Sequence, residues 1–160
     1  MQPRNAGGFQ RAGQGRKKGI AVIDGQAAKF GDARTVGWWQ RRQAHEHAIH
    51  AWDLRSSLGH APAIDTYLAH DGIDEVATMF YPRQLRLGRL VEPMSRIVVT
   101  TTDTGGLWEF GAGKEVAQLS GPAAYVLLAL WHRIPGDHPR LEWSGDAAAG
   151  HDILAQPLVP

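Results

Sequence analysis

The clearest structural signal in the chain lies in residues 96–121, which run RIVVTTTDTGGLWEFGAGKEVAQLSG. The first seven of these residues are almost all β-branched, a composition that favours a strand. The turn composition DTGG follows, and then the segment LWEF is typical of a second strand. After another glycine-rich turn, residues 116–119 predict a third strand. The run therefore predicts a sheet built from short strands that follow one another along the chain.

Helical patterns flank this run on both sides. Residues 38–55 contain neither glycine nor proline, which predicts a helix, and Pro82 is expected to end a second one. The helix after the third strand is apolar nearly all round, with Ser120 as its cap and Pro122 in its first turn, and is expected to be buried. The predicted helices are 38–55, 65–81, 123–133 and 147–154, with a fourth strand at 141–143. This order predicts an α+β fold.

Charge is distributed unevenly along the chain. Residues 1–35 carry seven basic and two acidic side chains, a net charge of +5, whereas residues 36–160 carry ten basic and fourteen acidic ones, a net charge of −4. The basic segment is rich in glycine and poor in apolar side chains, so we expect it to be disordered. We expect residues 36–82 to form a partial helical domain and residues 95–158 to form an α+β domain.

The composition excludes several classes of protein. The chain has 160 residues, no cysteine and a formal net charge of +1. Without cysteine it cannot be a disulfide scaffold, bind a metal or cluster through thiolates, or use a cysteine nucleophile. The near-neutral charge predicts no strong attraction to nucleic acid. No apolar run approaches the roughly 18 residues of a membrane helix. We expect a cytoplasmic protein with neither a nucleic-acid nor a membrane partner.

One face of the first predicted helix carries the candidate metal site. With about 100° of rotation per residue, Glu46, His50 and Asp53 fall within about 60° of one another. The i,i+4 spacing lets a carboxylate oxygen of Glu46 and an imidazole nitrogen of His50 approach one point, and these donors suit zinc, iron, nickel or manganese. Asp53 is then placed to orient a ligand. Alternatively, the pair is only a solvated hydrogen bond, since a catalytic ion usually has three protein ligands.

Arg133 ends the apolar helix that is predicted at residues 123–133. A cation at this position interacts favourably with the helix dipole, which is a sufficient structural reason for its presence. The alternative is functional: a guanidinium between the two expected domains can bind an anionic substrate. The sequence leaves both explanations open.

Residues 41–53, RRQAHEHAIHAWD, carry a resemblance to a known family. They resemble the R-R-x-A-H-E-x-x-x-H-x-W-D helix of the mycothiol-dependent maleylpyruvate isomerase family. Three further segments resemble that family in the same order along the chain. They are DGIDE at 71–75, TDTGGLW at 102–108 and GPAAYVLLALWHR at 121–133. The resemblance covers about residues 38–157, roughly three quarters of the chain.

The resemblance implies a fold and a site. The fold is a DinB-like, metal-binding helical bundle followed by a small α+β domain similar to sterol carrier protein 2 (SCP2-like). The resemblance implies that Glu46 and His50 hold a divalent metal, typically zinc, and that Arg133 lies near it. The family's third ligand is a histidine on an earlier helix, but this chain has no histidine before His45. We therefore expect an N-terminally truncated member in which only a remnant of the bundle is present.

Two functions follow from this resemblance. The first is a metal-dependent isomerase or transferase that uses mycothiol, or a similar low-molecular-weight thiol, on small organic acids. The thiol would come from outside the chain, which has no cysteine. The second is a non-catalytic fragment whose C-terminal domain binds a ligand or a partner. A remnant bundle would expose apolar surface, so self-association is a further expectation.

Overall fold

The computed structural model describes residues 35–60 and 63–160. The segment expected to be disordered, residues 1–35, falls outside these ranges except for Thr35. Residues Trp38–Pro160 form one compact unit. No helix in the described ranges has the length and apolar character needed to cross a membrane. The observed elements are helices combined with a four-stranded mixed sheet, so the predicted α+β class is confirmed.

Two long helical segments open the described chain. Helix α1 is Val36–Ser57, close to the predicted 38–55. Helix α2 is Thr66–Glu75 and begins at Asp65, whose side chain accepts hydrogen bonds from the backbone N–H groups of Tyr67 and Leu68. Such a cap satisfies N–H groups that lack partners within the helix.

The second helical segment does not end at Pro82, so that expectation is wrong. A π-helical segment, Val76–Phe80, follows α2 directly, and helix α3, Tyr81–Arg86, continues the chain without a break. Pro82 lies in the first turn of α3, where its missing N–H costs little. The switch from π to α winding therefore lets the helical path pass through a proline.

The sheet contains the strands that the sequence predicts, in an order that the sequence does not reveal. The strands are β1 Arg96–Thr101, β2 Leu107–Phe110, β3 Glu115–Gly121 and β4 Glu142–Gly145. Their order across the sheet is β2-β1-β3-β4. β1 pairs antiparallel with β2 but parallel with β3, with Val99 opposite both Trp108 and Leu119. β4 closes the sheet antiparallel to β3.

Two further helices complete the fold. Helix α4, Ala123–Leu130, is buried along most of its length, and helix α5 is Ala147–Leu154. Helix α2 packs closely on α4, because a Cβ atom at Gly72 would lie only 3.1 Å from a methyl carbon of Leu127. The core therefore joins the helical pair to the sheet domain. The proposed division of the chain near residues 83–95 stays a prediction.

The burial of α4 predicts how much stability is lost when one of its core side chains is shortened. Leu130 has no exposed surface, so Leu130→Ala should lower the free energy of unfolding by about 2–5 kcal/mol. Leu107 is 61 % exposed, and Leu107→Ala should change the free energy of unfolding by no more than about 0.5 kcal/mol. Urea titration followed by circular dichroism measures both. Equal effects of the two substitutions would contradict the placement of α4 in the core.

Candidate functional site

A small cavity lies where the middle of α1 meets the C-terminal end of α4. Its volume is about 250 Å³. Three residues singled out from the sequence, Glu46, His50 and Arg133, line it together. The other lining residues are Arg42, Ile49, Trp131 and Pro160. The fold thus brings a helix face and a distant arginine to one place.

Glu46 and His50 lie one helical turn apart on the cavity side of α1. The distance from Glu46 Oε1 to His50 Nε2 is 3.9 Å, and their side chains are 40 % and 64 % exposed. The second oxygen of Glu46, Oε2, lies 3.2 Å from Arg42 Nη2. One carboxylate oxygen is therefore paired with a guanidinium, while the other faces the imidazole.

Asp53 holds Arg133 in the cavity wall. Arg133 donates from Nε to Asp53 Oδ1 at 2.8 Å and from Nη2 to Asp53 Oδ2 at 3.1 Å. Arg133 Nη1 also donates to the backbone oxygen of Trp131 at 2.9 Å. Asp53 Oδ2 lies 3.6 Å from His50 Nδ1, so this carboxylate is beside the imidazole as the spacing predicts. Its bidentate pairing with Arg133 joins residues 80 positions apart, which local spacing cannot reveal.

The turn after α4 aims Arg133 back toward α1. The N–H groups of His132 and Arg133 donate to the carbonyl oxygens of Ala129 and Leu128, which is the pattern of a Schellman end. His132 has a φ of 54°, in the left-handed region where glycine is the usual residue. Its imidazole Nε2 donates to the backbone oxygen of Leu154 at 2.8 Å. A histidine therefore stands where glycine is usual, and its side chain connects this turn to the end of α5.

A buried charged cluster lies behind Glu46 and was missed by the analysis of spacing. Its members are Arg42, His45 and Glu75, which are 8 %, 2 % and 2 % exposed. Glu75 Oε2 lies 3.0 Å from His45 Nδ1 and 3.8 Å from Arg42 Nη1. The spacing of Arg42, His45 and Ile49 could have indicated this cluster. These three residues follow one another at helical intervals, and they are the buried residues of α1. A carboxylate in the interior is costly without a compensating charge, which the Arg42 guanidinium provides.

The rim of this cluster carries an ion pair between α1 and α2. Arg41 donates from Nε to Asp71 Oδ2 at 2.7 Å, and its Nη2 lies 3.1 Å from Asp74 Oδ2. The Arg41 guanidinium holds the pKa of the Asp71 carboxyl below its usual range, and His45, 3.0 Å from the same oxygen, acts in the same direction. Charge pairing therefore fixes α1 on α2 from the solvent edge to the interior.

The donors in the cavity fit two positions of a metal site. Zinc–ligand distances of about 2.0–2.1 Å in a tetrahedron place adjacent donor atoms about 3.3 Å apart. The 3.9 Å between Glu46 Oε1 and His50 Nε2 needs only a small side-chain adjustment to match. Within residues 35–60 and 63–160, no group of three or more histidine and carboxylate side chains is placed to hold an ion.

A larger hollow of about 550 Å³ lies on the other side of Arg133. It is lined by residues of the turn after α4 and by α5, including His132 and His151. It shares only Arg133 with the cavity described above and contains neither Glu46 nor His50. Three of the four site residues predicted from the sequence thus line the smaller cavity, and the fourth, Asp53, lies beside His50 and Arg133.

The fold and the cavity define an α+β domain preceded by a helix with carboxylate and imidazole donors. Residues 67–151, just over half of the chain, match the family model described as the MDMPI C-terminal domain, which is the C-terminal domain of maleylpyruvate isomerase. The chain belongs to this family, as the sequence resemblance indicated. No curated protein matches the chain in a sequence comparison.

The ion pair at the rim predicts a change in the titration of Asp71. In Arg41→Gln, the pKa of Asp71 should rise toward its usual value of about 3.9, because the largest cause of its lowering is removed. NMR titration of the carboxyl carbon measures this shift. Arg55→Gln changes an exposed arginine of the same helix and should leave the pKa unchanged.

The same substitution predicts how stability depends on pH. A carboxyl whose pKa is lower in the folded state contributes stability above its unfolded pKa and loses it as the pH falls through the folded pKa. The stability difference between the wild type and Arg41→Gln should therefore be full near pH 7 and shrink in acid. It should be modest, because the Asp71 side chain is 48 % exposed and screened by solvent. A difference that grows on acidification would contradict this assignment.

Proposed function

We propose that this protein is a metal- and thiol-dependent isomerase or transferase that acts on small organic acids. One observation carries the proposal: Glu46, His50 and Arg133, from two separate parts of the chain, line the same cavity. Membership of the maleylpyruvate isomerase C-terminal domain family supports the same direction.

Arg133 would bind the carboxylate of the substrate. A guanidinium has five N–H donors, and Arg133 uses three of them for Asp53 and for the Trp131 carbonyl. Two remain for an anion in the cavity. Because Asp53 fixes the plane of the guanidinium through two bonds, the free donors are already oriented when the anion arrives.

Glu46 and His50 would hold the divalent ion, which we propose to be zinc. Bound zinc would lower the pKa of a thiol and so make the thiolate available near neutral pH. The thiol, mycothiol or a similar small molecule, is external because the chain contains no cysteine. Ile49 and Trp131, which are 1 % and 8 % exposed, form apolar walls that limit water near the reacting group.

The chemistry that suits this arrangement is addition of the thiolate to an activated double bond. The carbon–sulfur bond forms while the electron pair of the double bond moves onto the activating carbonyl. Rotation about the new single bond and expulsion of the thiolate would then return the double bond in the other geometry. The task of Arg133 in each step is to keep the carboxylate fixed.

A second candidate is a non-catalytic module that binds a small anion. It is favoured by the finding that the described residues offer two metal donors rather than the three usual in catalytic sites. Such a module would use Arg133 and the cavity but would need no ion. Zinc binding separates the two candidates, because only the first requires it.

The first candidate predicts a specific zinc content. Protein purified and then loaded with zinc should retain about one ion per chain, measured by plasma emission after dialysis. Glu46→Ala and His50→Ala should each reduce zinc to background, because each removes one of two protein donors. His47→Ala is the matched control, since His47 is exposed on the same helix and its Nδ1 pairs with the Gln43 carbonyl oxygen. Background zinc in the wild type would rule out this candidate.

Both candidates predict that Arg133 binds anions. With maleate as the probe, Arg133→Gln should weaken binding at least about tenfold in isothermal titration, because a hydrogen bond to a charged group contributes about 1.5–3 kcal/mol. Arg140→Gln is the control, since Arg140 is exposed and lies over the Tyr125 ring, 5.7 Å from its centroid. Equal maleate affinity in the wild type and Arg133→Gln would remove the anion site from both candidates.

A further inference from the structure

We infer that Arg42 is a positioning residue that holds Glu46 in the orientation needed to bind a metal ion, and that buried Glu75 holds Arg42 in turn. The inference rests on the proposed function, because it assigns a purpose to the way Glu46 is held. Arg42 lies one helical turn before Glu46, about 40° from it around the axis of α1, and its role is inferred from the contacts that its side chain makes in the structure.

Arg42 contacts both the buried carboxylate of Glu75 and the carboxylate of Glu46 in the cavity. Its Nη1 lies 3.8 Å from Glu75 Oε2 and its Nη2 lies 3.2 Å from Glu46 Oε2. Its guanidinium carbon lies 4.9 Å from the centre of the Phe80 ring. The Arg42 side chain is only 10 % exposed and lines the cavity with Glu46. The contact of Arg42 with Glu75 is an ion pair without a hydrogen bond. Charge and packing together therefore restrict the buried guanidinium, and with it the Glu46 carboxylate that it contacts.

The π-helical segment Val76–Phe80 allows Glu75 and Phe80 to contact Arg42 together. In an α-helix, two residues five positions apart are separated by about 140° around the axis. Glu75 and Phe80 are five apart and would point to different sides. The wider winding of a π-helix, with i→i+5 hydrogen bonds such as that from Tyr81 N–H to the Val76 oxygen, brings such residues toward one side. Glu75 and Phe80 can therefore both contact Arg42.

The effect of Arg42 on an ion bound at Glu46 has two parts with opposite signs. Its positive charge repels a cation, whereas its contact with Oε2 leaves Oε1 free and turned toward His50. Glu75, which is 2 % exposed, offsets the charge of Arg42 at close range. Glu75 therefore reduces the repulsion, and we expect the orientation of the ligand to decide the sign of the effect on zinc binding. Loss of Arg42 should weaken zinc binding.

The decisive experiment measures zinc affinity by isothermal titration at pH 7, with no substrate or thiol present. Outer partners of metal ligands typically contribute about 10–100-fold to affinity. Arg42→Gln alone leaves Glu75 buried without its guanidinium partner and can unfold the protein. The main variant is therefore the double substitution Arg42→Gln and Glu75→Gln, which keeps the interior neutral. We expect it to bind zinc at least about tenfold more weakly than the wild type.

A conservative variant and a stability control separate positioning from general damage. Arg42→Lys keeps the charge but replaces the planar guanidinium fork with a compact ammonium on a flexible stem. Zinc affinity should therefore fall, but by less than in the double variant. Ile97 is fully buried in β1, and Ile97→Val should lower the melting temperature while leaving zinc affinity unchanged. If the role of Arg42 were merely structural, its variants would lower the melting temperature and leave zinc affinity unchanged, as Ile97→Val does.

The outcomes distinguish this inference from the proposed function. If the wild type binds zinc and either the folded double variant or Arg42→Lys binds it equally well, Arg42 does not position Glu46 and only the inference fails. If the wild type itself binds no zinc, the metal-dependent function fails and the inference fails with it. Weaker binding in both variants, at melting temperatures no lower than that of Ile97→Val, supports both.

Discussion

The burial of Glu75 is the constraint on which the arrangement of the site depends. A carboxylate that is 2 % exposed needs opposite charge nearby, and within the described residues α1 brings the Arg42 guanidinium and the His45 imidazole to it. These two residues lie three apart on α1, so pairing both with one carboxylate fixes the rotation of α1 about its own axis. With that rotation set, Glu46 and His50 point toward the cavity. The polar interior thus determines where the candidate metal donors point.

The second interaction that builds the site, between Asp53 and Arg133, works differently. Both side chains are about one third exposed, and pairs of this kind typically contribute only about 0–1 kcal/mol to stability. Its importance is geometric, because two parallel hydrogen bonds fix the plane of the guanidinium beside the donors on α1. The strained left-handed conformation of His132 serves the same arrangement, since it turns the chain after α4 back toward α1. Orientation, rather than stability, is what these features provide.

Local patterns in the sequence were enough to predict the elements but not how they meet. The β-branched run gave the strands, and the spacing of Glu46 and His50 gave the shared face, because both depend on neighbours in the chain. The parallel pairing of β1 with β3 and the contact of Asp53 with Arg133 depend on distant residues, for which one sequence has no signal. The π-helical segment also escaped prediction. Pro82 suggested a helix end, whereas a change of winding accommodates it.

The limits of the family match show why α1 cannot be treated as an appendage to the C-terminal domain. The matched residues 67–151 contain Glu75 and Arg133, whereas both candidate metal donors lie outside the match, on α1. Two of the ion pairs that build the site cross this limit, since Arg42 meets Glu75 and Asp53 meets Arg133. The matched region therefore supplies Arg133, the arginine proposed to bind an anion, and the buried carboxylate that pairs with α1. The proposed chemistry would require both parts, because the two proposed metal donors lie on α1 and the proposed anion-binding arginine lies in the matched region.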